Sequence, residues 1–257
     1  MRTAFERHVL APVWIHLGRA KAQRRLTSPP ILIGGCARSG TTLLAAILSA
    51  HPRLWVVPRE TWTFTSWTRD EAGLERPERL DRLYREILLR HIPRTAHRWC
   101  EKSPPNIAHL PEILRFFGDD VRVIHIVRDA RDVCLSVHPT RPGAYWVPPR
   151  RWVNHVRAGL AYRQHPRVHT LTYENLVTDN APTLATLMAF LDEPLCAQVV
   201  DWHAHARKRR DRALGGPLQQ LYTAAIGKWK TARHAERVVE IVQYPGVREL
   251  LDTLGYE

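Results

Sequence analysis

The chain has 257 residues, 44% of them apolar, and its 38 Lys and Arg against 25 Asp and Glu give a formal charge of +13. The apolar share excludes general disorder, and the length suits one large α/β domain or two small ones. Cys36, Cys100, Cys134 and Cys196 form no C-x-x-C pair, which argues against a disulfide scaffold or zinc cluster, and no run reaches the ~18 to 20 apolar residues that span a membrane.

Residues 3–25 read as a basic helix with Phe5, Val9, Val13 and Leu17 on one face. That face is expected to pack on the domain, with peripheral contact to a membrane surface as the alternative. The run 9–17 holds Pro12 and His16 and lacks a small-residue cleavage site, so it makes a poor signal peptide, and a soluble cytoplasmic enzyme or binding protein is expected. Residues 31–33 form a short apolar run that stops at Gly34-Gly35, a buried strand. A helix follows over 41–50, then a second strand over 54–57 and an amphipathic helix over 78–91. Residues 121–127 form the clearest buried strand, with a helix from Ala130 that takes in Ser136. Residues 152–164 read as a helix, 168–172 as a strand, and the chain from Ala181 as mostly helical. Pro29-Pro30, Pro104-Pro105 and Pro148-Pro149 punctuate the elements. Strands separated by helices imply an α/β fold of the P-loop type, in three layers with a central parallel sheet flanked by helices. It is read as one domain over 1–257, with an appended helix at 1–28, a core at about 30–230 and C-terminal helices beyond.

The segment from Gly35 to Thr42 nearly matches G-x-x-x-x-G-K-[ST]. Its glycines let the backbone turn its N–H groups toward phosphate oxygens, and the helix from Thr41 adds its positive end. Thr41 stands where a nucleotide triphosphatase has Lys, and the cation sits earlier, as Arg38. No strand ends in the apolar run and Asp that would help hold Mg²⁺. Such a loop suits a donor with a short phosphate chain and no obligatory metal. Arg128 then stands at the carboxyl end of the strand over 121–127, where open α/β sheets bind ligands. With Ser136 it makes a second phosphate pocket, unless Arg128, Asp129, Arg131 and Asp132 form only a surface ion-pair cluster.

Together these segments resemble the sulfotransferases that use 3′-phosphoadenylyl sulfate (PAPS). The matching residues are Arg38-Ser39-Gly40-Thr41-Thr42-Leu43 and Arg128-Asp129-Ala130-Arg131-Asp132 through Ser136. Ala50-His51-Pro52, Glu101-Lys102-Ser103-Pro104, Leu171 to Leu176 and Ile226-Gly227-Lys228-Trp229 extend the resemblance over most of 30–230. Its flavour is that of the bacterial and tyrosylprotein branch.

The resemblance implies sulfuryl transfer to a hydroxyl acceptor, with PAP released and no metal required. A base must take the acceptor's proton, and cations must meet charge on the bridging oxygen. Glu60 is the candidate base, by its E-T pair one residue further from the loop than in the tyrosylprotein branch. Glu101 and His51 compete for that role. The resemblance assigns Arg38 and Lys102 to the sulfuryl group. It assigns Ser39, Gly40, Thr41 and Thr42 to the 5′-phosphate, Arg128 and Ser136 to the 3′-phosphate, and Tyr173 and Lys228 to further cofactor contacts. Glu174 is read as structural. Trp62, Trp67 and the segment 139–151 are candidates to line the acceptor pocket. The run Arg207 to Arg210 reads as a solvated helix face, and His203 and His205 as no metal site. A P-loop kinase or nucleotide triphosphatase is the second hypothesis, opposed by the missing Lys. A polyanion binder is the third; the charge permits it, but no nucleic-acid motif is present and nucleic acid is not an expected partner.

Overall fold

Alternation along the first strand sets the layers. In β1 (Ile31–Gly35), Ile31 and Ile33 enter one apolar cluster and Leu32 the opposite one, all three without exposed surface. The computed structural model describes residues 9–138, 140–207, 210–211, 216–217 and 223–256. With β2 (Leu54–Val56), β3 (Arg98–Lys102), β4 (Arg122–Val127) and β5 (Val168–Thr172), β1 forms a parallel sheet of order β2-β3-β1-β4-β5. Its connections leave to both sides from the centre, so the crevice lies at the carboxyl ends of β1 and β4.

Helix α1 (Ala11–Arg25) lies against α3 (Leu80–Leu89). One face of the sheet carries α2 (Thr41–Ala50), and the other carries α3, α4 (Leu110–Phe117) and the 3₁₀ segment Pro104–His109. Every residue of α2 is buried. Burying Leu44, Ile47 or Leu48 stabilises the fold by about 1.5–3 kcal/mol each. Beside α2 pack α7 (Tyr173–Thr178), α8 (Asn180–Phe190), α9 (Ala197–Val200) and α10 (Trp202–His205). A third cluster joins α5 (Ala130–Cys134), α6 (Pro149–Leu160), α11 (Ala235–Gln243) and α12 (Val247–Thr253) to Cys36 and Val127, at the ends of β1 and β4. The architecture is a three-layer α/β fold with a central parallel sheet flanked by helices. Among the described residues, no helix is long and apolar enough to cross a membrane.

Three local readings need correction. The first helix buries Gly18 and Ala22, and Gly18 lies so close to Tyr84 that a Cβ there would meet its carbonyl oxygen at 2.3 Å. The face with Val9, Val13 and Leu17 is exposed instead, and Phe5 lies outside the described residues. Ser136 follows α5 rather than lying in it, because the helix ends at Cys134. Strand β3 had no apolar run to announce it: Arg98, Glu101 and Lys102 are all buried, each with a polar partner.

One buried histidine couples this fold to pH. His125 of β4 has no exposed surface, and Gly159 of α6 packs against its ring. Burial, with His155 beside it, lowers its pKa from 6.5 to about 3. Thr170 Oγ1 lies 3.4 Å from its Nδ1. Between those pH values the unfolded chain binds a proton that the folded chain refuses, so stability is present above about pH 6.5 and is lost as pH falls toward 3. The urea midpoint is expected to fall between pH 7 and pH 5, and to fall less steeply in His125→Asn. An equal slope in the variant would place the acid sensitivity elsewhere.

Candidate active site

The loop from β1 to α2 adopts backbone angles that few residues tolerate. Gly40 has φ +97°, and a Cβ there would meet Tyr173 Cδ2 at 2.5 Å. Arg38 itself sits at φ +72°, a strained position for a residue with a side chain. Its guanidinium lies 5.4 Å from the centre of the Trp146 ring. Ser39 is fully buried, and its hydroxyl has no hydrogen-bond partner among the described residues. A buried orphan hydroxyl at the start of a helix fits a phosphate oxygen as its missing partner.

Arg128 joins this loop to the second motif. It follows β4, and its Nη1 donates to the Arg38 carbonyl at 3.2 Å, while Nη2 donates to the Ala225 carbonyl. Its guanidinium stacks 4.3 Å from the centre of the Tyr173 ring and lies 3.8 Å from the Asp132 carboxylate. Asp132 in turn accepts the backbone N–H groups of Gly227 at 2.7 Å and Trp229 at 3.3 Å. Arg131 pairs with Asp129 and lies 3.6 Å over the Trp229 ring. Arg128, Asp129, Arg131 and Asp132 are thus buried, not a surface cluster. Glu174 accepts from the Asp129 N–H at 3.2 Å and the Tyr256 hydroxyl at 2.7 Å, which makes it an anchor for the C-terminus.

The Asp132 tethers hold Lys228 beside Arg128. Burial, then repulsion from Arg128, lowers the Lys228 ammonium to about 8, with Asp132 opposing and Arg38 adding to the drop. Arg38 and Arg128 therefore lie near enough to Lys228 to destabilise its charge. Such a region favours a ligand with more than one negative group. Ser136 is buried nearby, and its hydroxyl donates to the Asp132 carbonyl at 3.2 Å.

At the end of β3, Lys102 is 1% exposed and forms an ion pair with Glu60, whose side chain is 27% exposed. Its ammonium also donates to Thr42 Oγ1 at 3.1 Å, so one buried cation spans the loop helix and the candidate base. The competing groups are differently placed. Glu101 has no exposed surface and accepts four hydrogen bonds, from Thr61 N–H and Oγ1, Ser103 Oγ and Asn106 Nδ2. His51 is buried, with Nε2 3.1 Å from the Pro194 carbonyl and Nδ1 accepting the Arg53 N–H. Of the three, only Glu60 keeps part of its side chain exposed.

Trp62 is 42% exposed, two residues from Glu60, at φ +55°. Trp67 instead packs with Phe64 and Phe116, so the two tryptophans separate into one site neighbour and one core residue. Trp146 falls within the segment 139–151 singled out for the acceptor pocket, and its place beside Arg38 is what the sequence did not show. In the segment 139–151, Pro139 lies outside the described residues. Arg207 caps the end of α2 and the turn beyond, donating to the carbonyls of Ser49 at 2.7 Å, His51 and Leu54 at 2.8 Å, so it is no merely solvated residue. Lys208, Arg209 and the Arg210 side chain lie outside the described residues. Among the described residues no group of three or more His, Cys, Asp or Glu could hold a metal ion.

Comparisons with known proteins bear on the family and the fold. A model described as the sulfotransferase family matches residues 29–197. An uncharacterized protein of Aquifex aeolicus is 24% identical over 91% of this chain and 35% of its own length. Protein-tyrosine sulfotransferase 1 of Mus musculus is 35% identical over 43% of this chain and 33% of its own. The chain spans about a third of the length of these curated relatives. Among solved structures, the sulfotransferase domain from the curacin biosynthetic pathway aligns with a TM-score of 0.59 at 17% identity, covering 90% of this chain and 98% of that one. A mouse sulfotransferase complexed with PAP aligns at 0.57 with 16% identity, covering 94% and 95%.

Proposed function

Because the chain belongs to the sulfotransferase family, we propose that it transfers the sulfuryl group of PAPS to a hydroxyl acceptor and releases PAP. The acceptor is a carbohydrate, lipid, phenol or other small molecule. The chain is read as one cytoplasmic domain of the P-loop type, and no metal enters the proposal. The observation that carries it is the meeting of two anion-binding motifs, where the Arg128 guanidinium donates to the carbonyl of Arg38. Two phosphate-type sites joined in this way fit a nucleotide with separate 3′ and 5′ groups.

PAPS supplies the sulfuryl group and a phosphate leaving group; the remaining tasks fall to the chain. Ser39, Gly40, Thr41 and Thr42 offer backbone and hydroxyl donors to the 5′-phosphate. Arg128 and Lys228 hold the 3′-phosphate, with Ser136 once its hydroxyl turns from the Asp132 carbonyl. Tyr173 supports the Arg128 guanidinium from below. Glu60 accepts the proton of the acceptor hydroxyl. Arg38 and Lys102 meet the charge that develops on the bridging oxygen. A proton arriving on Glu60 removes the charge that Lys102 pairs with in the resting site. The ammonium is then free to turn to the leaving oxygen as its charge grows.

Labelled sulfate transfer from PAPS to a panel of phenols, sugars and lipids tests the proposal. Wild-type protein is expected to label at least one acceptor class. Arg38→Ala abolishes that turnover while only partly weakening PAP binding. Turnover of Arg38→Ala within tenfold of wild type removes Arg38 from the transfer step.

A further inference from the structure

Three consecutive residues at the end of β3 grip three consecutive residues beyond β2. Lys102 pairs with Glu60. Glu101 accepts the Thr61 N–H at 3.0 Å and the Thr61 hydroxyl at 2.9 Å. Ser103 Oγ accepts the Trp62 N–H at 3.1 Å and donates to Glu101 at 2.6 Å. The other Glu101 oxygen accepts from Asn106 Nδ2 at 2.8 Å, and that amide also reaches the Ile33 carbonyl of β1 at 3.4 Å. Arg82 Nη1 holds Thr61 from its carbonyl side at 3.2 Å.

The sheet does not supply this alignment by itself. The last ladder-like bond from the β2 side is Val57 N–H to the Cys100 carbonyl at 2.8 Å, and Pro58 and Arg59 are exposed. A slip of one residue would bring Arg59 or Thr61 to Lys102 in place of Glu60. Alternation along β3 puts Lys102 on the α2 side and Glu101 on the opposite side, so the two residues clamp the segment from both faces. A carboxylate without exposed surface is costly unless its oxygens are satisfied, and here neutral donors from Thr61, Ser103 and Asn106 satisfy both.

We infer that Glu101 is a positioning residue that sets the register of Glu60 against Lys102, an inference that rests on Glu60 being the base. It acts through Thr61 and Ser103 and touches no reacting atom. Its effect is therefore on turnover and not on donor affinity.

The test is a cycle of Glu101→Ala and Glu60→Gln, read with the panel acceptor of highest turnover and with PAP titration. Glu101→Ala is expected to lower kcat about 100-fold, with acceptor KM and PAP affinity within about threefold of wild type. Glu101→Gln keeps an oxygen for Thr61 and Ser103. Its amide can face Asn106 Oδ1, which has no hydrogen-bond partner among the described residues, once Asn106 turns over. That variant is expected to recover to within about tenfold of wild type. The double variant is expected to be no slower than Glu60→Gln alone. Glu101→Ala turning over at the wild-type rate overturns the inference. So do multiplied losses in the double variant, which would give Glu101 a role independent of Glu60. Should Glu101→Ala fail to fold, Thr61→Ala takes its place in the cycle with the same non-additivity expected. Full turnover in Glu60→Gln overturns the assignment of the base instead, an outcome separate from the others.

Discussion

Lys102→Met is expected to lower turnover about 10³-fold while leaving PAP affinity within about threefold. The lysine is 1% exposed and its ammonium spans Glu60 and Thr42 Oγ1, so removal deprives both the base and the leaving oxygen of one cation. Methionine fills nearly the same volume, so the buried site is not left empty. Glu60 keeps access to water and is not stranded as a buried charge. Loss of a single electrostatic donor at a reacting centre costs about 10²–10³-fold in turnover, and release of the base from its partner adds to that. Single-turnover kinetics with saturating PAPS check it. A rate within tenfold of wild type would remove Lys102 from the reaction.

Arg128→Ala is expected to weaken PAP binding about 100-fold, which corresponds to the loss of one strong charge-assisted phosphate contact. Binding of ADP, which lacks the 3′-phosphate, is expected to change by less than about threefold. The difference between the two nucleotides separates a lost phosphate contact from general damage. General damage is a real competitor, because Arg128 also holds Arg38, Ala225 and the Tyr173 ring and lies opposite Asp132. Arg128→Lys keeps a charge but loses the fork, and is expected to recover only part of the affinity. Equal weakening of PAP and ADP, or no weakening at all, contradicts the 3′-phosphate assignment.

The parts of the site that could be read from the chain are those where the backbone itself demands particular residues. The turn at Gly40 tolerates no Cβ against Tyr173, and the helix after it carries an apolar run from Leu43 to Leu48, so loop and helix announce themselves. Val168–Thr172 could be read to the residue, because a turn precedes it and Thr172 caps the helix that follows at once. Strand β3 could not be recognised from its pattern, because Arg98, Glu101 and Lys102 are charged residues whose partners lie far away in the chain. Arg98 donates to the Leu191 carbonyl and Glu101 accepts from Thr61, pairings that no local period encodes. The same holds for Asp132, whose hold on Gly227 and Trp229 spans about 95 residues of chain. For the first helix, apolar spacing suggested the wrong buried face. Small residues, Gly18 and Ala22, let it approach α3 more closely than its Val and Leu side chains could.

These long-range pairings also change how the positive charge is understood. Arg131, Arg98 and Arg207 serve the fold, each with a carbonyl or carboxylate partner. Lys228 is lowered to about 8 by burial and by repulsion from Arg128 and Arg38. A bound anion relieves it, so PAP affinity is expected to decline as pH rises through about 8 and Lys228 loses its proton.

Calorimetric titration of the purified chain with PAP, alongside ADP, tests the central claim most directly. One PAP site is predicted, at least about tenfold tighter than ADP because of the contacts to the 3′-phosphate. Equal affinity for the two nucleotides, or no PAP binding by folded protein, would contradict it.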